Sequence, residues 1–363
     1  NSIHTQRWVA PFVARGDEVY LVSYKPIHRP WPGVTAIDLT RLTDLRKVRF
    51  AYWGAWLWRY VRRVRPDIVH AHQVQAAGWL GFLANYHPFA LTAWGSDLLI
   101  EPHKSVLRRM LVQAVLRRCD RLTVPSQRMY QAARELGMPG RKLWLIPWGI
   151  ERDIFSPEPD DRAATRAQLG LPAEALVVLS PRSVAEVYNL DIVIEAVRAF
   201  APQLPELRLL LLRYNVQPAY LARLEAQIAA AGLGERVLWL PPQERPDDMA
   251  RLYRLADVVI SIPSSEGYGL TVYEAMSAGC PTLISDLPLF EGELANGMNT
   301  LKVPVRDAEK TAEALARLLR DPELRLRLRQ NALAVVADKG VEQRVAQSVA
   351  LYRELLQSVV RGK

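Results

Sequence analysis

Short apolar runs alternate with amphipathic stretches along the whole chain. EVYLVSY (18–24), DIVHAH (67–72), FALTAW (89–94), RLTVPS (121–126) and LWLIPW (143–148) have the length and composition of strands. So do ALVVLS (175–180), LRLLLLR (207–213), RVLWLP (236–241), VVISIP (258–263) and TLISD (282–286). Helical spacing predicts helices over about 41–65, 104–119 and 126–136, then 189–201, 217–231, 246–255 and 270–278. Three more are expected over 307–320, 322–338 and 341–361. Near-continuous apolar strands alternating with helices imply parallel sheets covered on both faces. The stretch IERDIFSPEPDDR (150–162) is polar, holds two prolines and has no periodicity. It reads as the joint between two doubly wound α/β domains, 1–157 and 158–340, with 341–363 a helix returning to the first. Ligands of open α/β sheets sit beyond the carboxyl ends of the strands, so the site is expected in a central cleft that the two domains face.

The composition narrows the class. Of 363 residues, 50% are hydrophobic and 23% charged, which excludes disordered, collagen-like and low-complexity chains. Two cysteines are too few for a disulfide scaffold. No apolar run approaches the roughly 18 residues that span a bilayer. The chain starts at Asn1, without a Met, which leaves room for a short strand upstream. Unpaired cysteines and no export signal favour the cytoplasm.

The charge is uneven. Residues 1–157 hold 23 Lys/Arg and 11 Asp/Glu, a net +12, against a net −3 for residues 158–363. Nine of the ten tryptophans and all six histidines also lie in the first part, so its surface suits something anionic or interfacial. WLWRYVRRVRP (56–66) interleaves Trp with Arg on one helix, and VLRRMLVQAVLRR (106–118) repeats the basic–apolar theme. Both suit an anionic membrane surface, which would put the protein on the inner face of the cytoplasmic membrane. The alternative is a core-packed helix with a solvated basic edge. Nucleic acid fits poorly, because the basic residues are spread over several helices and no binding module is recognisable.

The segment SIPSSEGYGLTVYEAMSAGCPTLISD (261–286) carries the chemistry. A strand ends at Pro263, a loop with Gly267 and Gly269 follows, and a helix starts near Leu270. Such a helix N-terminus offers unpaired N–H groups and partial positive charge, which bind phosphate. Glu266 lies in the loop, and Glu274 lies eight residues later, one turn into the helix. A carboxylate accepts from neighbouring hydroxyls, so the pair suits hydroxylated rings on either side of a diphosphate. Arg182, just past the strand 175–180, is placed to clamp that diphosphate.

This block resembles the E-x7-E motif of retaining GT-B glycosyltransferases, most closely glycosyltransferase family 4. PDIVHAH, ALTAWGSD, IPWGIERDIFSP and ADVVISIPSSEGYGL resemble further stretches of that family, so the likeness covers most of the chain. It implies two Rossmann-like domains facing a central cleft, acceptor-binding first and donor-binding second. Retention of anomeric configuration is implied as well. Glu274 then holds the donor ribose, Glu266 touches the transferred sugar, and the backbone of Gly267, Tyr268, Gly269, Leu270 and Thr271 supports sugar and phosphate. Arg182 meets the diphosphate. The family's Lys six residues on is Tyr188 here, and its Gly-rich turn near the base is Arg213–Tyr214–Asn215; Tyr188 and Arg213 are expected to serve the donor in their place. Its His before "G-S-D" is Trp94.

On the acceptor side, His72 at a strand end and His4 in an early loop are candidates, and His72 joins Glu266 and Arg182 in the catalytic set. Asp97 suits a turn as well as a substrate contact. No Asp-x-Asp pair or His/Cys cluster suggests a metal, and no cofactor is implied beyond a UDP- or GDP-sugar donor. The acceptor is expected to be a glycan or lipid-linked molecule of cell-envelope, glycolipid or polysaccharide synthesis. The rival readings are a GT-B nucleotide-sugar epimerase and a catalytically impaired, membrane-peripheral binding protein.

Overall fold

The computed structural model describes residues 3–27, 31–43, 48–243 and 245–361. The chain divides into two compact units, Asn1–Pro147 with Arg344–Lys363, and Trp148–Gln343.

The first unit runs α1 (Ile3–Ala14), β1 (Val19–Ser23), β2 (Val34–Asp38), α2 (Arg49–Val64), β3 (Val69–His72), α3 (Ala76–Ala84) and β4 (Phe89–Thr92). It continues with α4 (Ser96–Leu99), α5 (Val106–Arg118), β5 (Arg121–Val124), α6 (Gln127–Glu135) and β6 (Leu143–Leu145). β1 and β2 pair in parallel, and a second parallel sheet has the order β3-β4-β5-β6. Two cores result. Trp53, Leu57 and Val61 of α2 pack with Leu80 and Ala84 of α3. Val112, Val115 and Leu116 of α5 pack on Leu91, Leu122 and Val124 of the sheet. Ser105 and Ser126 begin α5 and α6 by accepting from the N–H groups of Arg108 and Met129.

The second unit runs α7 (Arg162–Gln168), β7 (Leu176–Ser180), α8 (Leu190–Phe200), β8 (Leu207–Leu212), α9 (Pro218–Ala230), β9 (Val237–Leu240) and α10 (Pro246–Leu255). Then come β10 (Val258–Ser261), α11 (Leu270–Ser277), β11 (Thr282–Ser285), β12 (Leu301–Val303), α12 (Ala308–Arg320), α13 (Pro322–Val336) and α14 (Val341–Arg361). Six parallel strands take the order β12-β11-β10-β7-β8-β9. Val177 and Leu179 enter one apolar cluster while Val178 enters the other, so the sheet is buried on both faces. The order reverses between β7 and β10, where Val258 lies beside Val178. That is the topological switch point at which doubly wound sheets bind ligands.

Several expectations change. The early loop assigned to His4 is part of α1; its side chain lies outside the described residues. Pro11 inside α1 obscured its helical pattern, yet Trp8 and Phe12 are buried one turn apart. β2 and β12 were too exposed or too short to read as strands. The helix expected over 41–65 is helical over Arg49–Val64, and residues 44–47 lie outside the described residues. The joint at 150–162 is not a free linker. Ile150 bridges Gly340, and Phe155 is fully buried in the second unit's core, so the division falls earlier, at Pro147.

Candidate functional site

In the second unit the loops after β7 and β10 bring the expected residues together. Arg182 follows β7 and is buried; its Nη2 donates to Glu266 Oε2 at 2.5 Å. Glu266 Oε1 accepts from the N–H of Gly267 at 2.9 Å. The Arg182 guanidinium lies 4.2 Å from the centre of the Tyr188 ring. Burial would lower the guanidinium's proton affinity, but Glu266, Tyr188 and Tyr214 together hold it above its ordinary value. Arg182 is therefore a fixed positive charge.

Asn189 fastens the two loops to each other. It is fully buried with φ +52°, and its Nδ2 donates to Ile262 O at 2.8 Å and to Ser264 Oγ at 2.9 Å. Asn tolerates this left-handed backbone better than most side chains. Glu274, one turn into α11, is buried, and Tyr253 Oη donates to it at 3.3 Å. Gly269 precedes α11 at φ +82°, and a Cβ there would meet the Phe290 ring at 2.7 Å. The glycine is thus required by packing as well as by its backbone angle.

Not every expected residue faces this point. Tyr268 turns into the core against Tyr273, with ring centres 5.1 Å apart, so only its backbone is offered to the loop. Leu270 packs on the same core, and Thr271 is half-buried. Arg213 donates to Glu225 at 2.6 Å and lies over Trp239, so its charge is engaged away from Arg182. Its neighbour Tyr214 arrives instead. The Tyr214 hydroxyl reaches Pro181 O at 3.4 Å, and its proton affinity rises through burial despite Arg182 nearby. One cue for Tyr214 is local: an aromatic ring at the end of β8, where the resembled family has glycines.

In the first unit His72 ends β3 and stacks on His70, with ring centres 4.6 Å apart. Trp8 meets His72 edge-on at 5.1 Å, and Trp94 does so at 6.3 Å. Burial, with Arg344 nearby, pushes the His72 imidazole down to about 3, so the ring is neutral at pH 7. Its Nδ1 is buried with no hydrogen-bond partner among the described residues. His70 is bracketed by Tyr352 at 2.6 Å and Thr92 at 2.7 Å, and burial lowers it too. Asp97 accepts from the N–H groups of Val74, Trp94 and Gly95 at 2.8–3.1 Å, so both of its oxygens serve the turn into α4. Among the described residues no His/Cys/Asp/Glu group could hold a metal, and no helix is long and apolar enough to cross a membrane.

Comparison with known proteins places this geometry. The family described as Glycosyl transferases group 1 matches residues 161–335, and that described as Glycosyl transferase 4-like matches residues 1–126. The chain is a glycosyltransferase, with a group 1 domain over residues 161–335. It is 27% identical over 326 residues to the D-inositol 3-phosphate glycosyltransferase of Thermobispora bispora, a match that covers 82% of this chain and 72% of that one. Across curated relatives bearing that name, the chain spans 54–72% of their length. The sucrose-phosphate synthase structure from Thermosynechococcus elongatus superposes with a TM-score of 0.82 at 24% identity, covering 98% of this chain and 93% of that one. Anabaena HepE, in complex with UDP and glucose, does so with a TM-score of 0.80 at 18% identity, covering 97% and 95%. These structural likenesses fix the fold of the glycosyltransferase as GT-B, with a Rossmann-like sheet in each unit.

Proposed function

We propose that this glycosyltransferase moves a sugar from a UDP- or GDP-sugar to an acceptor hydroxyl, with retention at the anomeric carbon and without a metal ion. The observation that carries this reading is the Arg182–Glu266 pair beside Glu274 at the β7/β10 switch point. Arg182 and the N-terminus of α11 take the diphosphate, Glu274 takes the ribose hydroxyls, and Tyr214 offers its ring to the base. The acceptor oxygen bonds to the anomeric carbon from the leaving-group face as the bond to the diphosphate breaks. The acceptor's proton leaves with the departing diphosphate. Donors already fixed in place stabilise the charge that develops there.

Glu266 has two successive partners in this scheme. Its carboxylate accepts from Arg182 and from Gly267 N–H, the donors that a phosphate oxygen would use. The arriving diphosphate displaces it, and the freed carboxylate turns to the hydroxyls of the sugar. The UDP and glucose bound by HepE support a nucleotide-sugar donor. The basic first domain and relatives named D-inositol 3-phosphate glycosyltransferase support an anionic or lipid-linked acceptor, used at the inner face of a membrane.

Calorimetry with UDP, GDP and pyrophosphate, followed by incubation with radiolabelled nucleotide sugars and a lipid extract, tests the reading. Binding, transfer and a product anomer matching the donor are expected. Absence of any nucleotide binding refutes it. Binding without transfer points instead to a nucleotide-sugar-binding protein, a reading favoured by Tyr188 and Trp94 in the places of a Lys and a His.

A further inference from the structure

Helix α5 has an exposed face that the fold does not use. Val112, Val115 and Leu116 bury its inner side. On the outer side Val106 is 77% exposed, Leu107 65%, Met110 60% and Leu111 38%. At about 100° per residue these four fall within roughly 140° of arc. Arg117 and Arg118 fall on the same arc two turns later. The outer face is thus apolar at the helix start and basic at its end. α5 carries four arginines and no acid. Isolated exposed apolar residues need no explanation, but four contiguous ones beside aligned arginines do.

The sequence made α2 the equal candidate, and the structure separates the two. Trp53, Leu57 and Val61 of α2 are core, and Arg62 covers Trp58 at 4.1 Å while donating to the carbonyls of Ala84 and Asn85. Arg62 is a structural tie. On α5, Arg108 pairs with Glu101, leaving Arg117 and Arg118 as the charges in line with the apolar patch.

We propose that the outer face of α5 docks on an anionic lipid bilayer, with Leu107 and Met110 entering the headgroup boundary and Arg117 and Arg118 meeting lipid phosphates. Apolar insertion and basic attraction are the two contributions that hold interfacial helices. The proposal deepens the membrane side of the function proposed above. Vesicles carry no nucleotide, so it stands or falls apart from donor binding.

The test is flotation of the full chain with vesicles of phosphatidylcholine alone or mixed equally with phosphatidylglycerol, at low and high salt. Wild type is expected to float with the mixed vesicles at low salt and much less at high salt. Leu107→Ser/Met110→Ser should cut partitioning at least about tenfold. Arg117→Gln/Arg118→Gln should cut it roughly thirtyfold on mixed vesicles, as expected for two basic residues near an anionic surface. All four side chains are outside the core, so unchanged circular dichroism and pyrophosphate binding are expected in both variants. Equal flotation with both vesicle types overturns the proposal. So does unchanged flotation of the serine variant, which would place the contact elsewhere. Concentration-dependent dimerisation lost in the serine variant, with vesicles ignored, would give the face to a second copy and also overturn it.

Discussion

Glu266 is where a single side chain decides most. Among the described residues it is the only carboxylate paired with Arg182, and it occupies the donors that a phosphate needs. Glu266→Gln removes the competing charge and keeps the shape. It should therefore tighten inorganic pyrophosphate by roughly tenfold, about 1.4 kcal/mol, the low end for a charged hydrogen bond, while sugar transfer falls. Weaker pyrophosphate binding in calorimetry would contradict the displacement step. Glu274→Ala should cost a nucleoside diphosphate about 1.5–3 kcal/mol and pyrophosphate nothing, since only the former carries a ribose. Equal affinities for the nucleotide in wild type and variant would remove Glu274 from the site. His72 acts on stability through protons. Its folded value, about 3, lies below the ordinary 6.5, so between these pH values the unfolded chain binds the extra proton. Its contribution is complete above about pH 6.5 and is lost as pH falls toward 3. His72→Phe should flatten the fall of the urea midpoint across that window; an unaltered slope would mean that the ring titrates normally.

At the scale of elements, what could be read from the sequence was what periodicity and local chemistry determine. The strands leading into Arg182 and Glu266 were legible because burial on both faces makes them continuous apolar runs, with every inner residue of β7 and β10 from Val177 and Val258 onward buried. The E-x7-E loop was legible because its glycines, prolines and glutamates are all local in sequence. β2 was not, because VTAID is half-exposed. At the end of β8 the sequence points to Arg213 and not to Tyr214, but adjacent residues at a strand end point to opposite sides, and the partners Glu225 and Pro181 show that it is Tyr214 that lies toward Arg182. The role of Arg62 within the 56–66 stretch was not legible for a similar reason. Its carbonyl partners close α3, some twenty residues on, and no local pattern announces such a tie. Arg62→Glu should therefore lower stability by about 1–3 kcal/mol, whereas Arg63→Glu, at an exposed position, should stay within about 0.5 kcal/mol. Equal denaturation midpoints for the two variants would return Arg62 to the solvated basic face.

For the molecule as a whole, sequence order and compact unit do not coincide. The last helix begins in the second unit and belongs to the first from Arg344 onward. Its Leu351 and Leu355 are fully buried, Tyr352 receives the Trp8 indole N–H and touches His70, and Glu354 pairs with Arg121 at 2.5 Å. The far end of the chain thus completes the core of the domain that begins it. The closing of so long a loop costs little more than that of a short one, because the entropy grows only with the logarithm of length. The tryptophans make this testable, since eight of ten lie in the first unit and intrinsic fluorescence reports mainly on it. Leu355→Asp places an unpaired charge in that core and should lower its stability by more than about 3 kcal/mol. If pyrophosphate is held through Arg182 in the other unit, as proposed, its affinity should stay within about twofold while the fluorescence transition moves, because binding reports by mass action only on the unit that holds the ligand. An unshifted fluorescence transition would mean that α14 is not part of the first unit's core. Lost pyrophosphate binding at temperatures where the fluorescence remains native would mean that Leu355 acts on the donor site.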